Sequence, residues 1–451
     1  MKLVVVGGGI AGLAAARAAR MEAASSGTAV EITVLEASER LGGKLWTETI
    51  DGAALEWGPD SFLATKPWAR ELAEELGLEL VSPRPQASRA FLLVDGRLRL
   101  LPPGLAMGIP TRASALVEAV RAGIVGPGGA LRAWADRVLP AEPNGTMEPS
   151  VGEMARRRFG RSWTDRVIAP LIVGVYGVPL GEVSFGHAYP DALGARSLIA
   201  AARRRPRPSG PMFLSVRGGM GRLVAALVED LADARLRTGC AAESISVDGE
   251  GLSVGAMGED VRADAILLAV PAPAAARLLE TVAPEAAGPL RDIRYSASAV
   301  VLLGYESGTI GRPLDGSGYL VAPQERAIVA ACSWLPVKWA HAASAERVWL
   351  RAVVTDAKAL ALPDDVLKGR VRDEVDAAME AIRPAADVRV RRWARSLPVF
   401  GLGHANRVAA IRRSLPEKIT LAGAYLEGLG VSDCIRTGQE AARRLVRPAA
   451  G

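Results

Sequence analysis

Metal-binding and disulfide chemistry have little to work with in this chain. Cysteine occurs three times in 451 residues, as Cys240, Cys332 and Cys434, and histidine three times, as His187, His341 and His404. The cysteines form no CxxC pair, so at most one internal disulfide is available and a reduced interior is expected. The histidines are isolated and none sits in an HExxH pattern, so no metal site is expected. Aromatic residues make up 5% of the chain, which leaves Ala, Val, Leu and Ile to build the core. The apolar stretch 167–181 is interrupted by Pro170 and Pro179, too short and broken for a membrane span. Peripheral membrane contact stays open. Positive charge is in small excess: 55 basic against 49 acidic residues gives +6. No finger spacing or RNA-binding strand motif accompanies it, so no nucleic acid partner is expected. A strand begins directly after Met1-Lys2 with no basic leader, which reads as cytoplasmic.

Apolar residues make up 49% of the sequence, with 48 glycines and 29 prolines, enough for several packed domains with many turns. Residues 3–6 form a short apolar run, followed by glycines and an Ala-rich helix to residue 21, then a strand over 30–35. Together they make a βαβ unit with a parallel sheet. A helix started by Pro67 and stopped at Gly77, and a hairpin around Asp95-Gly96, come next. From 101 to about 205 strand alternation is scarce. Helical fragments appear at 113–122, with Ala113, Leu116, Val117 and Val120 on one face, and at 130–138. Asn144-Gly145 marks a turn, and 203–208 is an exposed basic connection. A helix at 220–231, strands within 236–254 and 265–270, a strand-rich stretch 297–331, a helix at 364–382, a strand at 419–423 and a final helix from Ser432 complete the layout.

Gly7-Gly8-Gly9-Ile10-Ala11-Gly12 fits GxGxxG through Gly7, Gly9 and Gly12. The first glycine permits the tight turn, the second admits a pyrophosphate, and the third lets helix and strand approach. Backbone N–H groups at the helix start, around Ile10 and Ala11, suit phosphate oxygens. Glu36 ends the next strand, where an acid accepts ribose hydroxyls and repels a 2′-phosphate. FAD and NAD both remain at this point. The following segment, Glu36-Ala37-Ser38-Glu39-Arg40-Leu41-Gly42-Gly43-Lys44, offers a basic group for a phosphate and two glycines for close approach to an elongated dinucleotide.

With that segment the chain resembles the flavoprotein amine oxidase superfamily, and further segments resemble its porphyrinogen oxidase branch. These are Gly58-Pro59-Asp60-Ser61, Arg217-Gly218-Gly219-Met220, Pro170 to Gly177 (PxxxGxYG), and Gly423 to Ile435 with Gly430-Val431-Ser432-Asp433-Cys434. The resemblance spans nearly the whole chain and implies FAD as the cofactor. It places Gly7, Gly9, Ile10, Ala11, Gly12, Glu36, Ala37, Arg40, Gly43, Lys44, Gly58, Pro59, Asp60, Ser61, Ala242, Gly423, Gly430, Val431 and Ser432 around the cofactor. Ala242 stands where the family's VxxI adenine-edge segment has Val. Cys434 reads as a buried structural thiol rather than a covalent flavin link.

The implied fold is α/β and α+β, a discontinuous Rossmann-like FAD domain with a strand-rich substrate domain and a helical insertion. The FAD domain takes residues 1–65, 209–290 and 396–451, the substrate domain 66–100 and 291–395, and the helical, possibly membrane-facing insertion 101–208. The implied activity is oxygen-dependent six-electron oxidation of a porphyrinogen in haem biosynthesis, by hydride transfer to FAD with release of hydrogen peroxide. Coproporphyrinogen III is favoured by the long turn 22–29 and by the run 58–67; protoporphyrinogen IX is the alternative. An amine oxidase, a carotenoid desaturase or a non-catalytic flavin-binding redox sensor are the remaining readings. Tyr176 and Tyr425 are the substrate-binding candidates. No catalytic residue is assigned, and His187 reads as a hydrogen-bonded structural histidine before it reads as a base. Eukaryotic-type relatives have an arginine after PTGL, but here Pro102-Pro103-Gly104-Leu105 precedes Ala106, so that substrate clamp is not carried over. Porphyrinogen and dioxygen are the implied small-molecule partners and a ferrochelatase the implied protein partner; the oligomeric state stays open.

Overall fold

Four consecutive apolar residues, Leu3, Val4, Val5 and Val6, leave the first strand with no face for water, and the fold covers both faces. The computed structural model describes residues 1–140, 148–205, 210–248, 251–325 and 327–447. In it β1 (Lys2–Val6) leads through α1 (Ile10–Ser25) to β2 (Glu31–Leu35). β1 lies between β2 and the strand Ala265–Leu268, parallel to both. Arg235–Arg237 and Ile419–Leu421 close the two edges of this five-stranded sheet. Leu3 and Val5 pack into one cluster with α1 and the C-terminal helix, while Val4 and Val6 pack into another with the helices after Ala265–Leu268. Burial on both faces is what a parallel sheet with helical crossovers requires. Its strands come from the beginning, the middle and the end of the chain.

The antiparallel hairpin β3 (Thr47–Ile50) and β4 (Ala53–Glu56) carries the chain from this sheet toward a second one. That sheet has seven strands, ordered Asp387–Pro398, Tyr295–Glu306, Arg347–Val354, Val329–Trp334, Gly318–Val321, Phe91–Val94 and Arg97–Leu100. Side-chain alternation sorts its two faces. Val301, Leu303, Leu350 and Ala352 pack with Leu367, Val371 and Val375 of the helix Asp364–Ala378. Val300, Leu302 and Trp349 turn the other way, onto Leu55 and Trp57 at the hairpin. The expected hairpin at Asp95-Gly96 is present, with φ of 52° and 69° at the two turn residues. Such angles suit a two-residue turn whose twist matches that of the strands.

Residues 101–205 are largely helical, as their weak alternation suggested, and two of their details differ from expectation. In the helix Ala113–Arg121 the buried residues are Ala115, Leu116 and Ala119, whereas Val117 is 49% exposed. Small alanines, not the β-branched residues, set the face that packs closely, so the apolar stripe is rotated from the one built on Ala113 and Val117. The helix Pro127–Trp134 tightens to a 3-10 turn at Ala135–Arg137, leaving Val138 exposed. The turn at Asn144-Gly145, the end of the basic connection 203–208 and the boundary expected after residue 208 lie outside the described residues.

One buried ion pair ties this region together. Arg158 of the helix Val151–Trp163 and Asp136 are almost wholly removed from solvent. Arg158 Nε donates to Asp136 Oδ1 at 2.6 Å, and its two terminal nitrogens donate to the carbonyls of Asp136, Pro140 and Arg196. Asp136 Oδ2 accepts from Ser197 Oγ and from Ile199 N at the start of the helix Leu198–Arg204. Both charges are therefore compensated by short hydrogen bonds, which is the condition for tolerating them in an apolar interior. Asp136→Ala strands the guanidinium and is expected to destabilise the protein by about 3–5 kcal/mol. The measurement is the urea midpoint together with amide-exchange protection of the three joined helices.

Candidate functional site

The glycine turn after β1 is tight on one side and open on the other. Gly7 has φ of 107°, and a Cβ there would lie 2.6 Å from the Ala269 carbonyl oxygen. At Gly12 a Cβ would lie 1.9 Å from the Gly7 carbonyl oxygen. Gly9, by contrast, has no atom within 4 Å of its would-be Cβ. The second glycine pair faces it: Gly42 N donates to the Gly8 carbonyl at 2.7 Å, and a Cβ on Gly43 would meet only the Gly9 Cα. The two turns thus form one groove at the start of α1, whose first turn, with Ile10 and Ala11, carries no side-chain cap. Glu36 ends at this groove. Its Oε2 accepts from Gly8 N at 2.8 Å, and its Oε1 accepts from Ser38 N and Ser38 Oγ. Exposed Ala37 lies between these two contacts. The backbone of Glu36 pairs with Arg237 and Cys240, which brings buried Ala242 to the same end of the sheet.

Arg40 is oriented by the loop it belongs to. Its guanidinium donates to the carbonyls of Leu41, Gly43 and Leu45 and lies 4.2 Å from the Trp46 ring centre. The arginine expected to meet a phosphate therefore also holds the double-glycine turn in shape. Arg391 lies 3.4 Å from the centre of the same Trp46 ring, and partial burial together with Arg391 lowers the Arg40 pKa. Lys44 has no hydrogen bond or ion pair among the described residues. Its ammonium is 5.9 Å from the Tyr295 ring centre, and burial lowers its pKa to about 8 against the opposing influence of Cys434. Gly58 fits tightly behind it, because a Cβ at Gly58 would lie 1.8 Å from the Lys44 carbonyl oxygen. Pro59 continues this narrow wall.

The next two residues serve the join between the sheets. Asp60, only 6% exposed, accepts from Ser61 Oγ, Lys338 Nζ and Trp339 Nε1. Burial pushes its pKa up, but Lys338 and Arg351 outweigh that and hold the carboxyl well below the usual range. Glu56 takes the other side of the junction: Oε1 accepts from Met220 N and Thr47 Oγ1, while buried Oε2 has no partner among the described residues. Burial raises the Glu56 pKa to about 7, with the hydrogen bonds from Met220 and Thr47 opposing it. Through Glu56 the turn Gly218-Gly219-Met220 is fastened to β3 and β4. Neither Glu56, Lys338 nor Arg351 carried a recognisable signal in the sequence.

The C-terminal segment closes the groove from the opposite end of the chain. Gly423 has φ of 129°, and Gly430 begins the helix Val431–Val446. A Cβ on Gly438 of this helix would lie 2.2 Å from the Ala11 carbonyl oxygen, so the first and last helices touch through backbone. Asp433 accepts both a 3.3 Å bond from Gly430 N and a two-pronged contact from Lys66 Nζ at 2.7 Å. Ser432 Oγ donates to the Lys66 carbonyl. Lys66 and Asp433 each sit inside a segment singled out from the sequence, yet their pairing across 367 positions has no local signature. Cys434 lies beside Lys44 as a half-buried free thiol, its pKa raised to about 12 by burial and by Asp433.

Histidines that look isolated in the sequence meet here. His187 stacks on Phe400 at 3.7 Å between ring centres, with Tyr176 at 6.1 Å and His404 at 6.4 Å, both edge-on. His404 Nε2 bonds to the Tyr425 carbonyl, and its Nδ1 is buried without a partner among the described residues. The ring of His187 makes no hydrogen bond among the described residues, contrary to the hydrogen-bonded structural role expected for it. Stacking, not hydrogen bonding, holds it. Burial, helped by His404 and Lys66, lowers its pKa to about 4. Tyr176 borders this cluster, its pKa raised to about 12 by burial and Asp433. Tyr425 is 1% exposed, with its hydroxyl buried and unpartnered, and belongs to the core behind the groove.

Two helix starts, an open glycine face at Gly9, and an acid at the end of β2 fit an elongated dinucleotide. Among the described residues no group of metal-binding side chains occurs, and no helix is long and apolar enough to cross a membrane.

Comparison with known proteins agrees with this geometry. The family described as flavin containing amine oxidoreductase matches residues 10–446. The coproporphyrinogen III oxidase of Bacillus subtilis is 31% identical, the match covering 97% of this chain and 96% of that protein. The coproporphyrinogen III oxidase of Mycobacterium bovis is 32% identical over 96% of this chain and 94% of its own length. Among solved structures, a putative protoporphyrinogen oxidase from Exiguobacterium sp. 255-15 superposes with a TM-score of 0.86 at 29% identity, covering 99% of this chain and 98% of that one.

Two substitutions test the site. Gly58→Ala must displace the Lys44 backbone and is expected to weaken cofactor retention about ten- to hundred-fold, from overpacking of roughly 1–3 kcal/mol, read by flavin absorbance after gel filtration. Glu56 has a folded pKa of about 7 against an ordinary value of 4.5, so the unfolded chain ionises first as pH rises. Its contribution to stability is present below that ordinary value and declines as pH climbs to about 7. Denaturant titrations of Glu56→Gln across that window are expected to lack this decline.

Proposed function

Because the chain belongs to the flavin containing amine oxidoreductase family, and within it to the porphyrinogen oxidases, we propose that it oxidises coproporphyrinogen III to coproporphyrin III, with FAD as the bound cofactor. At the coarser level the chain is an FAD-dependent oxidoreductase of porphyrin metabolism. The observation that carries the choice of substrate is near-complete coverage, at 31% and 32% identity, of two relatives that act as coproporphyrinogen III oxidases.

The reaction removes six electrons, in three pairs, from the saturated bridges of the macrocycle. When bound, FAD would supply a two-electron acceptor that dioxygen reoxidises while being reduced to hydrogen peroxide, and the oxidation would take three such cycles. The protein contributes binding, orientation and exclusion of water. The first turn of α1, with Gly9, would hold the pyrophosphate, and Glu36 would take the adenosine ribose. Gly58-Pro59 and the Gly430-Val431 helix start would border the ring of the cofactor. Backbone N–H groups at that helix start would favour negative charge on the ring. Lys44, poorly solvated and without a carboxylate partner, adds positive charge on the same side. The helical insertion brings Tyr176 and His187 together beside Phe400, within electrostatic reach of Lys66 and Asp433, and the flat macrocycle would lie next to them. Its correct placement over the acceptor is worth more than any single side chain, since orientation governs hydride transfer. A soluble cytoplasmic location and hand-over of coproporphyrin to a ferrochelatase belong to the same proposal.

The test is direct. Purified protein is expected to release three peroxides per porphyrin formed and to show a clearly higher kcat/KM for coproporphyrinogen III than for protoporphyrinogen IX. A higher value for the two-propionate substrate reverses the assignment.

A further inference from the structure

Each two-electron cycle on a porphyrinogen removes a proton as well as a hydride, and the groove described above contains no carboxylate free to accept it. Glu36 is taken up by Gly8 and Ser38, Asp60 by Lys338 and Trp339, and Asp433 by Lys66 and Gly430. Glu56 lies behind the hairpin with Met220 and Thr47. His187 differs from all of these. Its position is fixed by the Phe400 stack and by the short helix Phe185–Ala188, whose first turn Ser184 caps with a bond to His187 N. Its ring is half-buried, and its nitrogens carry no hydrogen bond among the described residues. A fixed imidazole with unused nitrogens, beside Tyr176 and within electrostatic reach of the Lys66–Asp433 pair, is a base without an assigned proton.

We propose that His187 accepts the proton released in every cycle, in two cycles from a pyrrole N–H and in one from the fourth bridge carbon, so that the helical insertion supplies the base and the FAD domain the electron acceptor. The inference rests on the porphyrinogen-oxidase reading. In one cycle a C–H bond at a bridge carbon breaks and its hydride leaves for the bound flavin. The macrocycle is then a cation, and the N–H bond of an adjoining pyrrole breaks. The bonding pair stays in the conjugated macrocycle, and the proton forms an N–H bond on His187; in one of the three cycles the C–H bond of the fourth bridge carbon breaks in place of an N–H bond, so that the losses sum to those of a porphyrin. The imidazolium releases that proton to water, and dioxygen takes up the two electrons with two protons as hydrogen peroxide. A weak base suffices, because the cation is far more acidic than a neutral pyrrole.

The surroundings suit that role. Burial, His404 and Lys66 keep the imidazole neutral at neutral pH, ready to accept, while Asp433 and Glu148 favour the charged form once the proton arrives. Tyr176 is itself held neutral. Glu148 is anchored by Ser184 Oγ and by Gly403 N, so it stabilises the imidazolium from a distance rather than competing for the proton.

The test uses the full-length holoenzyme. His187→Phe keeps the stack on Phe400 and removes both nitrogens, whereas His187→Ala leaves a space. Anaerobic reduction of the flavin by coproporphyrinogen III is expected to slow about 100-fold or more in both, with FAD content unchanged in both and melting temperature unchanged in His187→Phe. Added imidazole is expected to restore the rate in His187→Ala and not in His187→Phe, a result that a purely packing role does not give. Independently, the chain has only three histidines, so ring nitrogen-15 spectra of the wild type can be assigned by mutation. Coproporphyrin III is expected to shift the His187 signals. A wild-type rate in His187→Phe, absence of imidazole rescue, or unshifted His187 signals each overturn the proposal. If neither porphyrinogen reduces the wild-type flavin, the underlying reading fails first and this inference falls with it.

Discussion

Close approach of backbone to backbone at the first turn of α1 is the constraint from which the rest of the site follows. On one side Gly12 lies against the Gly7 carbonyl, and on the other Gly438 of the last helix lies against the Ala11 carbonyl. A methyl group at either position would overlap an oxygen. This contact sets the helix start at the end of β1, fixes where the C-terminal helix begins, and so brings Gly430 to the same groove as Gly9. Hydrogen bonds then add precision, with Gly42 on Gly8 and Lys66 on Asp433.

Around that groove the polar groups divide into those that face a ligand and those that hold the frame. Asp60 shows the second kind. Its segment packs against the Lys44 backbone through Gly58, and its carboxylate neutralises Lys338 and part of Arg351. Such buried charges stabilise little by themselves, because desolvation offsets most of the attraction. They fix which parts of the two sheets meet, and a mismatch would leave a charge unpaired. Arg158 and Asp136 do the same inside the helical insertion. Buried ionic groups thus fasten both the join between the two sheets and the interior of the helical region.

Much of the frame was legible because its signals are local. The βαβ start, the hairpin at Asp95-Gly96, the helix begun by Pro67 and the helix near the end of the chain all follow from short patterns. Failures came where packing overrides pattern. In the helix Ala113–Arg121, counting large apolar residues chose a face that the structure leaves partly wet, since Ala115 and Ala119 allow closer contact. The histidines were read as isolated because position along the chain says nothing about distance in space. His187 and His404 are separated by most of the substrate domain in sequence and share one aromatic cluster in the fold.

What the sequence determined by itself was chemistry carried by contiguous residues: glycine turns where a side chain would collide, and an acid at a strand end. Such features depend on a few neighbouring dihedrals and on side-chain type. What only the tertiary structure decided was which groups are already occupied and which are free. Lys66 and Asp433, Glu56 and Met220, His187 and Phe400 become partners only when distant segments pack. Burial, which sets whether a group is charged, is a property of that packing and of no segment alone.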